Sequence, residues 1–117
     1  MKLGFLTACL PGRSLAQICE WAQAHEFEAL EVAAWPALGN RPFTATHLVV
    51  DGFDGAAADE SKALFAAHRL ECSSIAYYDN NLHPDADERE AINRHEDQTP
   101  RGDRCCAPAR CYGVQRR

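Results

Sequence analysis

The nine residues FEALEVAAW, Phe27 to Trp35, decide how this chain is read. Phe27 and Ala29 alternate with Glu28, and the pattern then relaxes into a near-continuous apolar run that Pro36 ends. A strand with one wet face keeps alternating, whereas a strand covered on both faces has no need to. The stretch therefore predicts a strand buried from both sides, with Glu31 as a charge set among apolar neighbours. An unpaired buried charge is expensive. Glu31 must then either line a polar cleft or occupy an exposed strand position, and a carboxylate in a cleft is a candidate binding group.

Upstream of that strand, LGFLTACL (Leu3–Leu10) is short, apolar and closed by Pro11 and Gly12, which predicts a first strand. Ser14 offers an N-cap oxygen with Gln17 three residues on, the capping-box spacing. Leu15, Ile18, Cys19 and Ala22 follow at helical spacing as one apolar stripe, predicting a helix to about His25. Downstream, the loop PALGNRPFTATHLVVDGFDG is about 20 residues long, a length that in compact domains tends to carry function. His47 lies on it, as a site-lining residue or a solvated loop histidine. Ala56–His68 predicts a second helix, with Leu64 and Phe65 inward and Asp59, Glu60 and Lys62 outward. LECSSIAYY (70–78) predicts a third strand, and Asp85 with Glu88 opens a third helix along ADEREAINRH.

Strand and helix thus alternate three times, the signature of an α/β fold with parallel strands joined by crossovers. In such folds ligands bind beyond the carboxyl ends of the strands. The segment YYDNNLHPD (77–85) sits at the carboxyl end of the third strand. Asn80 and Asn81 are suited to bond hydroxyl groups, Asp79 to accept from them, and His83 to contact a ligand. Asn and Asp are equally ordinary turn formers. Trp35 and Tyr78, at strand ends, form either an apolar wall or part of the core.

Bulk properties narrow the choices. At 117 residues the chain is one domain at most. A formal charge of -5 and a pI near 5.4 argue against nucleic-acid binding, which needs clustered positive charge. No apolar run approaches the roughly 20 residues that span a bilayer, which argues against membrane insertion. The N-terminus reads as a strand and not as a signal peptide, which places the protein in the cytoplasm. Cys9, Cys19 and Cys72 lie scattered in patterned segments, as small hydrophobes in a reduced protein do.

From Glu96 the pattern fails. EDQTPRGDRCCAPARCYGVQRR has no Leu, Ile, Met or Phe and a single Val. Residues 1–95 hold 7 basic against 14 acidic side chains, or -7, whereas 96–117 hold 5 against 3, or +2. Such a tail buries too little apolar surface to offset its ordering entropy and is expected to be unstructured. Read one base further on with GC-rich codons, the residues from Arg104 yield a helix end and an apolar strand, which points to a frameshift. Cys105, Cys106 and Cys111 with His95 lack the paired spacing of a zinc site.

In MKLGFLTACLPG, FEALEVAAWPA, FTATH and AYYDNNLHPDADEREAIN the sequence resembles the sugar phosphate isomerase/epimerase family, the xylose-isomerase-like TIM barrels. The resemblance covers residues 1 to about 95. It implies the first three βα units of a (β/α)8 barrel, a sugar or sugar-like polyol as ligand, and a divalent metal (Mn, Mg, Co or Zn) as the family's cofactor. Glu31, His47, Asn80, Asn81 and His83 would be substrate-binding. The family's metal ligands come mostly from later strands, without counterpart here, so the chain is expected to be an inactive fragment that binds no metal. An apurinic-site endonuclease shares the barrel but is disfavoured by the negative charge. A non-enzymatic alternative is a small α/β module that associates with itself or a partner through open sheet edges.

Overall fold

The computed structural model describes residues 1–36 and 45–99. It contains strand β1 (Gly4–Leu6), a 3-10 turn (Thr7–Cys9), helix α1 (Leu15–Ala24), strand β2 (Ala29–Ala33), helix α2 (Gly55–Ala67), strand β3 (Glu71–Ala76) and helix α3 (Ala86–Gln98). The strands form one parallel sheet in the order β1-β2-β3. The architecture is therefore α/β, an open three-stranded parallel sheet with three α-helices.

Local chemistry accounts for the helix boundaries. Ser14 makes the full capping box: its Oγ accepts from the Gln17 amide at 3.2 Å, and the Gln17 side chain accepts from the Ser14 amide at 2.9 Å. Asp54 caps α2 through the Ala57 amide, so that helix starts at Gly55, one residue before the position read from sequence. Asp85 caps α3 by accepting from Asp87 and Glu88. Helices α1 and α2 end alike. Glu26 and Arg69 adopt left-handed backbone (φ 61° and 55°) one residue past His25 and His68. The Phe27 amide then reaches back to the Ala22 carbonyl and that of Leu70 to Phe65, both at 3.0 Å, closing Schellman turns usually built on glycine. Each turn feeds straight into the next strand.

Leu30 and Val32 of β2 point to the helix side, where they pack with Ile18, Cys19 and Ala22 of α1, Phe65 of α2, and Leu48 and Val50 of the segment before it. Leu64, expected to face inward beside Phe65, is only partly buried there. On the opposite face Ala33, Ala76, Ala8, Ala45 and Trp35 make a second, smaller cluster. Both faces of β2 are thus covered at its carboxyl end, as its loss of alternation implies. Burial pushes the Cys19 thiol up to about 11, so it packs as a small inert hydrophobe.

Three readings need correction. The first strand stops at Leu6 and not Leu10, because Thr7 turns its hydroxyl to the Ala33 amide and the chain breaks into the 3-10 turn. The second and third strands are likewise trimmed, to Ala29–Ala33 and Glu71–Ala76. Helix α3 runs through Glu96 to Gln98, past the boundary drawn at residue 95, and Thr99 closes it by bonding back to His95. The remainder of the tail expected to be unstructured, residues 100–117, lies outside the described residues. No helix among the described residues is long and apolar enough to cross a membrane.

Candidate functional site

The parallel register sets Leu6, Glu31 and Ser74 side by side on the face of the sheet turned away from α1 and α2. Glu31 is half-buried, in the middle of β2. Its Oε1 accepts the hydroxyl proton of Tyr78, which the chain brings in just beyond β3. A tyrosine that must give up its proton beside a carboxylate resists doing so. Partial burial, the hydrogen bond and the Glu31 charge together push Tyr78 up to about 12. The Tyr78 ring also meets Trp35 edge-on, with centroids 5.8 Å apart. Tyr78 stays 63% exposed while Trp35 is buried, so of the expected aromatic wall only Tyr78 presents a ring to solvent.

A second polar group stands at the carboxyl end of β1. Thr7 has no exposed surface. Its Oγ1 accepts from the Ala33 amide at 2.9 Å and lies 2.9 Å from His47 Nδ1, while His47 Nε2 lies 3.1 Å from the Leu10 carbonyl. A carbonyl only accepts, so Nε2 carries the ring proton, and Nδ1 then accepts the proton of Thr7. Burial lowers the His47 pKa, against the opposing pull of the Leu10 and Arg13 backbones. With its ring neutral, His47 ties the turn after β1 to the segment after β2.

Asn80, Asn81 and His83 do not join either group. The Asn80 side chain accepts from the Leu82 amide at 3.0 Å, an Asx turn. Asn81 donates to Glu96 of α3 at 2.7 Å. His83 Nδ1 accepts from the Asp85 amide at 3.2 Å, and its carbonyl accepts from Arg89 at 2.7 Å. These three residues brace the connection from β3 to α3. The five residues picked from the sequence are thus engaged in three places: Glu31 with Tyr78, His47 with Thr7 and Leu10, and the rest between the connection after β3 and α3.

Thr7 was missed by reasoning from sequence, and His95 was weighed there only as a partner of the tail cysteines. Threonine in an apolar run reads as a β-branched strand residue, and nothing local marks its hydroxyl as a bridge. His95 donates from Nε2 to the Ala34 carbonyl at 2.7 Å and packs against the Tyr77 ring, which pins α3 over the end of β2. Among the described residues no group of three or more His, Cys, Asp or Glu side chains is placed to hold a metal ion. Cys105, Cys106 and Cys111 lie outside the described residues. No protein-family model, curated protein or solved structure matches this chain.

Proposed function

We propose that residues 1–95 are the opening arc of a xylose-isomerase-like (β/α)8 barrel, the N-terminal part of a sugar phosphate isomerase or epimerase. The supporting observation is the placing of Glu31. Three parallel strands follow one another in chain order, α1 and α2 pack against one face, and on the other face Glu31, midway along β2, is met by Tyr78 from just beyond the carboxyl end of β3. In a closed barrel that other face is the interior and its carboxyl end the ligand mouth.

In this reading Glu31 accepts from a hydroxyl of a sugar-like ligand while Tyr78 presents the edge of an apolar wall. Asn80, Asn81 and His83 shape the rim, each with one polar atom spent on the connection or on α3 and the other left for a ligand hydroxyl. The metal and the acid–base pair belong to later strands of the family, so this chain isomerises nothing alone. A cytoplasmic location goes with the same reading, in keeping with the free thiols of Cys9 and Cys19.

The test is direct. Purified protein supplied with Mn²⁺ or Mg²⁺ is assayed for ketose–aldose conversion, and no turnover is expected; clear turnover would overturn the division of labour just described. Sequencing the gene beyond codon 96 is the second arm. A neighbouring frame that lacks apolar patterning removes the frameshift.

The open sheet favours one further reading. Among the described strands β1 and β3 each have a single neighbour, and bare strand edges recruit other strands. Self-association through those edges predicts oligomers on sizing chromatography, and a clean folded monomer counts against it.

A further inference from the structure

The bonds around His47 form a directed chain. The Ala33 amide can only donate and the Leu10 carbonyl can only accept, so each proton between them has one place to be. It runs from the Ala33 N–H to Thr7 Oγ1, from the Thr7 hydroxyl to His47 Nδ1, and from His47 Nε2–H to the Leu10 oxygen. The arrangement works only for a neutral ring. Add a proton to Nδ1 and two donors face each other across 2.9 Å. The Thr7 hydroxyl, which has no exposed surface of its own, must then turn its proton elsewhere.

His47 also heads a segment that is otherwise held by backbone bonds. Its own amide and that of Leu48 both donate to the Ala33 carbonyl, at 2.9 and 3.2 Å, and Thr46 donates from its hydroxyl to the Trp35 carbonyl at 2.7 Å. Leu48 and Val50 bury their side chains beneath it. We propose that His47 is a pH-operated clasp, which when neutral straps residues 45–50 onto the carboxyl end of the sheet through Thr7 and Leu10, and which loosens that strap when it gains a proton.

Among the described residues, the charged and titratable groups near it do not oppose this. Cys9 on the 3-10 turn and Arg13 in the turn after it are both exposed, and Arg13 meets the ring through its backbone. Glu31, two residues before Ala33 on β2, takes the Tyr78 hydroxyl. Asp51, the residue just past the strap, is exposed. Burial is the largest influence on the ring and disfavours its charged form. A depressed value in the folded state means the unfolded chain binds the proton more readily. The clasp's contribution is therefore complete above the ordinary histidine value of about 6.5 and fades as pH falls below it.

Nuclear magnetic resonance on the full chain, from about pH 7.5 down to about pH 4.5, tests the clasp in the range where histidine switches. The His47 ring should show a protonated Nε2 and bare Nδ1 at the upper end and titrate with a midpoint below 6.5. Amide exchange protection at His47 and Leu48 should fall with that same midpoint, by about tenfold or more, while Ile18 in α1 holds its protection. In His47→Gln, which has no titrating ring, the step should vanish. A midpoint at or above 6.5, protection that ignores the titration, or a step that survives in His47→Gln overturns the proposal. Should the variant fail to fold, the two wild-type measurements decide alone.

Discussion

Thr7→Val is the most informative single change in this protein. Valine matches threonine in shape, so the pocket stays filled and only the hydroxyl is lost. That hydroxyl serves two partners, the Ala33 amide at 2.9 Å and His47 Nδ1 at 2.9 Å. Ala33 has no exposed surface, so its N–H is left without a partner and without water. A buried polar group stranded in this way costs about 1–3 kcal/mol. His47 is half-buried and recovers part of its loss from solvent. Together the two losses come to about 2–4 kcal/mol, a large share of the roughly 5–15 kcal/mol that holds a typical domain. Urea unfolding followed by circular dichroism measures it. Thr7→Ser is the control, since it keeps the hydroxyl and loses one methyl, worth about 1 kcal/mol. If Thr7→Val stays within about 0.5 kcal/mol of wild type, or Thr7→Ser falls as far as Thr7→Val, the bridging role of the hydroxyl is refuted.

Other changes probe the remaining parts of the structure. A Cβ at Gly4 would lie 2.5 Å from the Ala29 carbonyl oxygen, so Gly4→Ala should prise β1 from β2 and cost about 1–3 kcal/mol in the same unfolding assay; a neutral result would mean the strands are not this close. Arg69→Gly should stabilise by about 1 kcal/mol, because it relieves the left-handed backbone after α2, and a loss of stability would speak against the Schellman turn. In alkaline spectrophotometric titration Tyr78 should ionise near 12, and Glu31→Gln should bring that value down by removing the charge that resists the phenolate; an unmoved titration would separate the two side chains. The Asp85 carboxyl is held low chiefly by the Glu88 amide, so its contribution to α3 is present above the ordinary aspartate range and lost as acid takes the pH through its depressed folded value; acid titration of Asp85→Ala should lack that step.

Much of the fold was written in local pattern. The capping box at Ser14 and Gln17, the cap at Asp85 and the stripe of Ile18, Cys19 and Ala22 are contacts within one helical turn or two, which sequence spacing describes directly. The candidate site was harder to read. Glu31 was noticeable because a charge in an apolar strand needs a reason, and its partner Tyr78 is 47 residues away. His47 was noticeable only as a histidine on a long loop, since Thr7 lies 40 residues before it. For Asn80, Asn81 and His83, residue type alone did not show that each spends one polar atom on the connection itself or on α3.

The order of elements, the burial of β2 on both faces and the helix starts belong to the sequence by itself, because each follows from the period at which apolar residues recur and from caps that act over three or four positions. The short span of β1 and the pairing of Thr7 with His47 and of Glu31 with Tyr78 were decided only in the tertiary structure. Those features depend on which distant group arrives within hydrogen-bond reach. Arrival is set by the packing of the sheet as a whole, and no single stretch of residues contains it.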